Sequence, residues 1–558
     1  MFLRNLRPFV LTVIVALSIA SCSLFDDVTY VVTPNPLEAH GDSVKVTITG
    51  TIPEKSINKS AIADVTPVIR WEGGEKALKT ITVQGEKAAG NGTVISSKTG
   101  GNFSYSDVVA YDPNMMKSEL FATASAGKGT KRKELGETKI ADGVNATPYL
   151  VEMDYKPIMG KDAFQRIITE RSNATINYLV NSPVVRGSEL KDIDMKEWDN
   201  LLKEIAANER LEAKTVDIEA FASPEGEVDR NDKLATSRSG SAKKANDDLM
   251  KKSKVPSLGG SYTDKGLGED WAGFRKLLEA SSMEDKALII RILETYSDVN
   301  QREQEMKNLS KTYTEIADQI LPKLRRAEMV LSYDVIGYSD EELVSISKSN
   351  ADSLKLEELL YAAQLHSDEA TQLSVYKNAE GRFTDDYRAA NNIGAIYFAQ
   401  GKMTEAEAQF TKAANIQKNA TTSNNTGIFM HKAGERKKSA EAFREGMSAG
   451  TEAAYNLGIV NIQDGAYDRA VSNFKGYDSV NSALAALLNG DAATASNILD
   501  RSDESDSAKA HYLRAIIAAR GKDAAGMNSH LREAVSKDPS MKTRAEKDAE
   551  FLGMTVTF

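Results

Sequence analysis

The chain has 558 residues, which corresponds to three or four domains at about 150 residues each. Its 70 basic and 80 acidic side chains give a formal net charge of −10, which argues against a nucleic-acid-binding protein because such proteins present a basic face. The single cysteine excludes a disulfide framework within the chain, and the five histidines do not have metal-ligand spacing. We therefore expect no metal ion and no cofactor.

The first 21 residues have the pattern of a secretory signal. Arg4 and Arg7 precede an apolar run at residues 9–20. As a helix this run would span about 18 Å, which is too short for the ~30 Å hydrocarbon core of a bilayer. The basic start, the apolar run and the small residues before Cys22 predict a cleaved signal peptide over residues 1–21.

The residues at the end of this signal predict a lipid anchor. Ile19-Ala20-Ser21-Cys22 resembles the signal box of bacterial lipoproteins. The resemblance implies a diacylglyceryl thioether on Cys22 and an acylated amino group, and two or three palmitate-type chains anchor a protein stably. Ser23 rather than an aspartate follows the cysteine, which by resemblance to lipoprotein sorting signals implies delivery to the outer membrane. The periplasmic or surface-exposed face stays open, and the alternative is a plain secretory signal with a chance cysteine.

Residues 22–150 predict a β-rich module. Val44, Val46 and Ile48 alternate with polar residues, which is the period of a half-buried strand. Similar short strands are separated by glycine-rich turns such as Gly73-Gly74. Several short strands at this spacing indicate an antiparallel β-sandwich.

Residues 151–340 predict an α/β domain with a late insertion. The expected elements are a strand at 174–180, a helix with Asp194 as its N-cap, a strand at 215–220, a loop at 222–226, a polar helix at about 231–251 and a closing strand at 328–335. Helical patterns interrupt this order before the closing strand. We therefore predict a helical insertion at about 252–320.

The second loop and the helix after it carry a family resemblance. Ala222-Ser223-Pro224-Glu225-Gly226, followed by Arg238, resembles the OmpA-like, peptidoglycan-associating domain of Gram-negative envelopes. In that family an aspartate in the loop and an arginine fifteen residues later hold the ammonium and carboxylate groups of diaminopimelate. Here Arg238 has the arginine position and Ser223 the aspartate position, and a lost charged partner costs about 1.5–3 kcal/mol. The resemblance implies a degenerate peptidoglycan site at Ser223 and Arg238; the alternative is that Arg238 pairs with loop carboxylates.

Residues 352–545 predict a helical repeat array. Gly394, Gly427 and Gly458 recur at intervals of 33 and 31 residues. The phenylalanines that follow them recur at the same intervals: Phe410, Phe443 and Phe474. A period near 34, with glycine on a first helix and an aromatic residue on a second, resembles the tetratricopeptide repeat. The resemblance implies an α-solenoid whose concave surface takes peptides or helices.

Asparagines recur on the predicted first helices of this array. They are Asn391, Asn392, Asn424, Asn425 and Asn456. In the resembled family these positions often line the groove, where a side-chain amide can hold a peptide backbone. The alternative is a solvated helix face.

Taken together, the sequence predicts a multidomain α+β protein with a β-sandwich, an OmpA-like domain and a tetratricopeptide solenoid. We expect a non-enzymatic outer-membrane lipoprotein that acts as an interaction scaffold for envelope proteins or peptides and contacts peptidoglycan. The alternative is a SusD-like glycan-capture lipoprotein, although those proteins usually begin their helical repeats soon after the cysteine. An enzyme is disfavoured because no Ser–His–Asp order, metal cluster or carboxylate pair stands out.

Overall fold

The structure, a computed structural model, describes residues 24–255, 258 and 262–558. The predicted signal peptide and Cys22 lie outside these residues. By their contacts the described residues form two compact units. One contains the residues up to Gly160 together with Glu380–Phe558, and the other contains Lys161–Ala379. The first unit thus contains both the N-terminal module and the repeat array.

The N-terminal module consists of short strands. They are β1 (Thr29–Thr33), β2 (Leu37–His40), β3 (Ser43–Ile52), β4 (Ile62–Trp71), β5 (Gly74–Ala77), β6 (Ile81–Gly85), β7 (Thr93–Ile95), β8 (Gly101–Ala110), β9 (Ser118–Gly127), β10 (Lys133–Asp142) and β11 (Val144–Asn145). One sheet has the order β1-β3-β2-β11 with β8 paired to β3, and the other has the order β10-β9-β4-β6-β7 with β5 paired to β4.

The two sheets of this module share a core. Val44, Val46 and Ile48 of β3 are buried, as their alternation predicts, and lie in one cluster with Ile69 of β4 and Leu120 of β9. The predicted all-antiparallel pairing is wrong at two places, because β11 runs parallel to β2 and β7 runs parallel to β6. Both exceptions involve strands of two or three residues, whose pairing depends on their neighbours rather than on their own pattern.

The second unit begins with a sheet and a set of helices. Its elements are β12 (Ile167–Asn177), α1 (Ile193–Ala207), β13 (Leu211–Ala222), α2 (Val228–Ser253), β14 (Tyr262–Glu269), α3 (Trp271–Ala280), α4 (Lys286–Thr295), α5 (Val299–Asn308), α6 (Ser310–Gln319), α7 (Leu321–Leu324), β15 (Arg326–Ile336), α8 (Asp340–Ser349), α9 (Leu356–Leu365) and α10 (Glu369–Arg382). The strand order is β12-β15-β13-β14, with β13 and β14 parallel and the other pairs antiparallel. Helices α1 and α2 contribute to the core of this sheet, in which Trp198 and Leu202 of α1 are fully buried with Met329 of β15.

Two details of this unit correct the sequence predictions. Helix α1 begins at Ile193 with Asp192 as its N-cap, because the predicted cap Asp194 instead accepts the main-chain N–H of Thr175 at 2.7 Å. The predicted insertion also contains strand β14, so its helices begin only at Trp271. The sequence hides β14 because this edge strand is mostly exposed and lacks an apolar alternation.

The repeat array follows as a series of helix pairs. Its helices are α11 (Tyr387–Ala399), α12 (Met403–Ile416), α13 (Ala420–Lys432), α14 (Arg436–Gly446), α15 (Thr451–Gln463), α16 (Tyr467–Asn473), α17 (Val480–Leu488), α18 (Ala492–Arg501), α19 (Ala508–Arg520), α20 (Ala524–Lys537) and α21 (Ser540–Ala545). Each odd-numbered helix from α11 to α19 packs on the next one, and each even-numbered helix from α12 to α18 contacts the following pair. The predicted array of repeated helix pairs is therefore confirmed.

The repeated glycines explain how the helices of a pair approach. A Cβ atom at Gly394 would lie 2.8 Å from the ring of Phe410, and one at Gly458 would lie 2.7 Å from the ring of Phe474. Only hydrogen fits between the first helix and the aromatic ring of the second. This close approach explains the shared period of glycine and phenylalanine.

Replacing Gly394 by alanine is expected to destabilise the array by roughly 1–2 kcal/mol, since overpacking at Phe410 outweighs the better helix propensity of alanine. The matched control is Gly381→Ala in α10, where a Cβ would meet no atom within 4 Å. That variant is expected to be neutral or to gain up to about 1 kcal/mol. Chemical denaturation of both variants checks this, and equal stabilities would contradict the packing role of Gly394.

Candidate functional site

An extended piece of the chain itself occupies the groove of the repeat array. We call residues Glu152–Gly160 the inner segment. It contains no helix or strand, and it makes no main-chain-to-main-chain hydrogen bond with the described residues. Its polar main-chain groups are bound by asparagine side chains from the first helices of successive repeats. We call these side chains the asparagine clamp.

Four asparagines of the clamp each bind both main-chain polar groups of one residue of the inner segment. In every case the amide oxygen accepts the N–H of a residue and the amide nitrogen donates to the carbonyl of the same residue, at 2.7–3.0 Å. The pairs are Asn481 with Glu152, Asn456 with Lys156, Asn425 with Ile158, and Asn392 with Gly160. This match is possible because the N–H and C=O of one residue in an extended chain point to the same side.

Two further asparagines connect these pairs. Asn391 donates to the carbonyl of Ile158 at 2.9 Å, and Asn424 donates to that of Lys156 at 3.1 Å. Asn391 in turn accepts a hydrogen bond from Asn425, and Asn424 accepts one from Asn456. All the predicted groove residues are thus buried and face the inner segment.

The sequence analysis did not find every member of the asparagine clamp. It missed Asn481, which lies 25 residues after Asn456 rather than 31 or 33. The interval is short because α16 has only seven residues. Asn481 is the second residue of α17, whereas Asn392, Asn425 and Asn456 are each the sixth residue of their helices, so neither the interval nor the position in the helix identified it.

Side chains of the inner segment fill pockets between the repeats. Tyr155 is buried, its hydroxyl forms a short hydrogen bond with Nδ1 of His431, and its ring stacks on Phe443 with centroids 6.4 Å apart. Ile158 is 4% exposed. A Cβ atom at Gly160 would lie 2.9 Å from the side chain of Arg388, so this position accepts only glycine without rearrangement. Three positions of the inner segment therefore carry shape requirements.

One carboxylate of the inner segment is also bound by the array. Asp154 accepts hydrogen bonds from the hydroxyl of Tyr455 at 2.5 Å and from the amide of Asn481 at 2.7 Å. Burial raises the pKa of Asp154 above its ordinary value, while the Tyr455 hydrogen bond and the charge of Lys156 act in the opposite direction. Lys156 lies over the ring of Tyr455 at 4.5 Å. The segment thus contributes a charge pair as well as its main chain.

The burial of His431 is expected to make its unit sensitive to acid. Burial lowers the pKa of His431 below 6.5, and the charge of Arg436 adds to this shift. The folded protein therefore disfavours the imidazolium, the unfolded chain binds more protons, and stability falls as the pH drops below about 6.5.

Between about pH 7 and pH 5 the free energy of unfolding is expected to fall by up to about 1.4 kcal/mol per pH unit more in the unaltered chain than in His431→Gln. Denaturant unfolding at several pH values measures this difference. The contribution of Asp154 is common to both proteins and cancels. Parallel pH profiles of the two proteins would contradict the shift assigned to His431.

The second predicted site, Ser223 and Arg238, lies in the other unit, and Arg238 has a structural role there. Arg238 is 1% exposed and donates to the main-chain carbonyls of Ser182, Phe221 and Leu179 at 2.9–3.2 Å. Burial lowers its pKa to about 10, so it remains charged at neutral pH. The ring of Tyr178 lies 5.3 Å from the guanidinium carbon. These contacts direct the hydrogen-bonding nitrogens of Arg238 into the protein.

Ser223, which has the position of the family's aspartate, is also bound by neighbouring side chains. Ser223 is buried and donates to the carboxylate of Glu225 at 2.7 Å. Glu225 forms an ion pair with Arg325 at 2.7 Å, and the same arginine donates to the Ser223 hydroxyl. The structure therefore shows Ser223 and Arg238 in two separate internal networks, and peptidoglycan binding at these residues stays a prediction.

Within residues 24–255, 258 and 262–558, no group of three or more histidine, cysteine, aspartate or glutamate side chains is arranged to hold a metal ion. In the described part of the chain, none of the helices combines the length and the apolar character needed to cross a bilayer.

Comparison with known proteins gave likenesses only to solved structures. No protein-family profile and no curated protein matches the chain. It is similar to a tetratricopeptide repeat protein from Parabacteroides merdae, with 14% identity over 44% of this chain and 98% of that chain and a TM-score of 0.27. It is also similar to YrrB, a TPR protein with an unusual peptide-binding site (18% identity, 38% of this chain, 100% of that chain, TM-score 0.23), and to pilF of Pseudomonas aeruginosa (15%, 37%, 99%, 0.29). With TM-scores this low the likenesses decide nothing about function, and the array is identified by its own helix pairs.

Proposed function

We propose that the protein is a lipid-anchored, non-enzymatic scaffold of the outer membrane that binds envelope proteins or peptides through its repeat array. The observation that carries this proposal is the asparagine clamp on an extended main chain. A surface that binds N–H and C=O groups in pairs recognises polypeptide itself and offers no group for covalent chemistry. The lipoprotein signal ending at Cys22 supports the membrane location.

The proposal gives the second unit a structural role rather than a binding role. The loop before Arg238 resembles that of the OmpA-like domain, but the guanidinium of Arg238 is bound by main-chain carbonyls. We therefore propose that this unit has lost the diaminopimelate contact of the family and acts as a folded spacer. The partners of the scaffold would then be proteins rather than the cell wall.

Two experiments test the proposal. Cys22→Ala is expected to release the protein from the membrane fraction, with Ser23→Ala as a control that stays bound. Capture of envelope extract on the purified mature protein is expected to retain specific proteins, and Asn425→Ala with Asn456→Ala is expected to reduce that set. Retention of the Cys22 variant in the membrane would overturn the anchor, and turnover of a small molecule by the purified chain would overturn the non-enzymatic role.

A further inference from the structure

We propose that the groove of the array also takes an extended segment of a partner protein in place of the inner segment, and that this partner segment carries a tyrosine, an isoleucine-sized residue three positions later and a glycine two positions after that. This inference rests on the proposed scaffold function and names the chemistry of the partner. The pattern is that of Tyr155, Ile158 and Gly160.

The first argument is that the inner segment is held by bonds that any extended chain can make. The asparagine clamp binds Glu152, Lys156, Ile158 and Gly160 through main-chain groups alone. The inner segment makes no main-chain pairing with a described strand, so a replacement breaks no sheet. A second chain in the same extended form would recover every one of these hydrogen bonds.

The second argument concerns the side chains that a replacement must carry. The pocket at Phe443 and His431 holds a flat ring with a hydroxyl, as Tyr155 shows. The wall at Arg388 leaves no room for a Cβ atom at the position of Gly160. In contrast, Met153 and Met159 are 47% and 39% exposed and set no requirement. The groove therefore selects residues at three separate positions, those of Tyr155, Ile158 and Gly160, rather than a continuous sequence.

The third argument is that the inner segment acts as a competitor for its own groove. The inner segment belongs to the same chain as its groove and continues directly from the N-terminal module of the same unit, so its effective concentration is set at about 1 mM. With an intrinsic dissociation constant of the inner segment near 10 μM, a partner peptide would bind the unaltered chain roughly 100-fold more weakly than a chain whose groove is open. Weakening the inner segment should expose the binding site.

The test uses the full-length mature chain and a fluorescent peptide that repeats residues 150–162. In the first variant, Tyr155→Ser and Gly160→Val together release the inner segment. Fluorescence anisotropy is expected to show peptide binding to this variant about 100-fold tighter than to the unaltered chain. Adding Asn425→Ala and Asn456→Ala is expected to remove the binding, and a peptide with valine at its Gly160 position is expected to bind at least about tenfold more weakly.

Absence of binding to the folded release variant at about 1 mM peptide would overturn the inference. Equal binding with and without the two asparagines would overturn it as well. If the release variant does not fold, Gly160→Ala alone replaces it in the same titration, with the same outcomes. The result is separate from the envelope capture, because the array can retain envelope proteins that lack the tyrosine, isoleucine and glycine pattern, while a scaffold without envelope partners leaves peptide binding measurable.

Discussion

Asn425→Ala is expected to lower the free energy of unfolding of its unit by about 2–4 kcal/mol. The change removes the sole hydrogen-bond acceptor seen for the N–H of Ile158 and the donor to Asn391, and both groups are buried. An unsatisfied buried polar group costs about 1–3 kcal/mol. Urea unfolding measures the loss, and hydrogen exchange should localise it to the amide of Ile158.

The control for this variant is Asn489→Ala. Asn489 is exposed at the end of α17 and does not contact the inner segment, so its replacement should change stability by less than about 0.5 kcal/mol. If Asn425→Ala were as stable as Asn489→Ala, the asparagine clamp would have no energetic role and the array would be held by apolar packing alone.

Arg238→Ala is expected to destabilise the second unit by about 3–5 kcal/mol. The change removes a buried guanidinium that serves the carbonyls of Ser182, Phe221 and Leu179 and leaves a cavity beneath Tyr178. Arg238→Lys should fall between the two proteins, since an ammonium group keeps the charge but not the fork of donors. Denaturant unfolding of the three proteins gives the order.

The same variant distinguishes the structural role of Arg238 from its predicted role in binding peptidoglycan. Arg171→Ala is the matched control, because Arg171 is an exposed residue of β12. Binding of the purified chains to peptidoglycan sacculi should be equal for Arg238→Ala and Arg171→Ala once the folded fraction is taken into account. Loss of sacculus binding at unchanged stability would show that Arg238 contacts the cell wall, and its structural role would be wrong.

The sequence was informative wherever a period or a spacing carried the signal. The interval shared by Gly394 and Phe410 in successive repeats predicted the helix pairs, and the same interval located Asn391 and Asn424 on the first helices. A helical period fixes which residues face the concave side, so the groove was predictable from local pattern.

The occupant of the groove was not predictable in the same way. The inner segment has no periodicity, and its bonds join residues that are 232 to 329 positions apart in the chain. Likewise, the resemblance located Arg238, but its partner Leu179 lies in the loop after β12, where the apolar run predicted a strand up to residue 180. Tertiary packing decides which groups the asparagines and Arg238 bind. The local sequence decides only where these residues lie on their helices.

The asparagine clamp affects which positions of the chain can change during evolution. Because it contacts N–H and C=O groups, substitutions at Met153 or Met159 leave its hydrogen bonds unchanged. Descendants of this chain are therefore expected to accumulate changes freely at Met153 and Met159, while the amide-bearing positions, such as Asn425 and Asn456, stay fixed. The spacing of the asparagines should therefore identify homologues better than the sequence of the inner segment does. Mutations are tolerated best at positions where only the main chain is recognised.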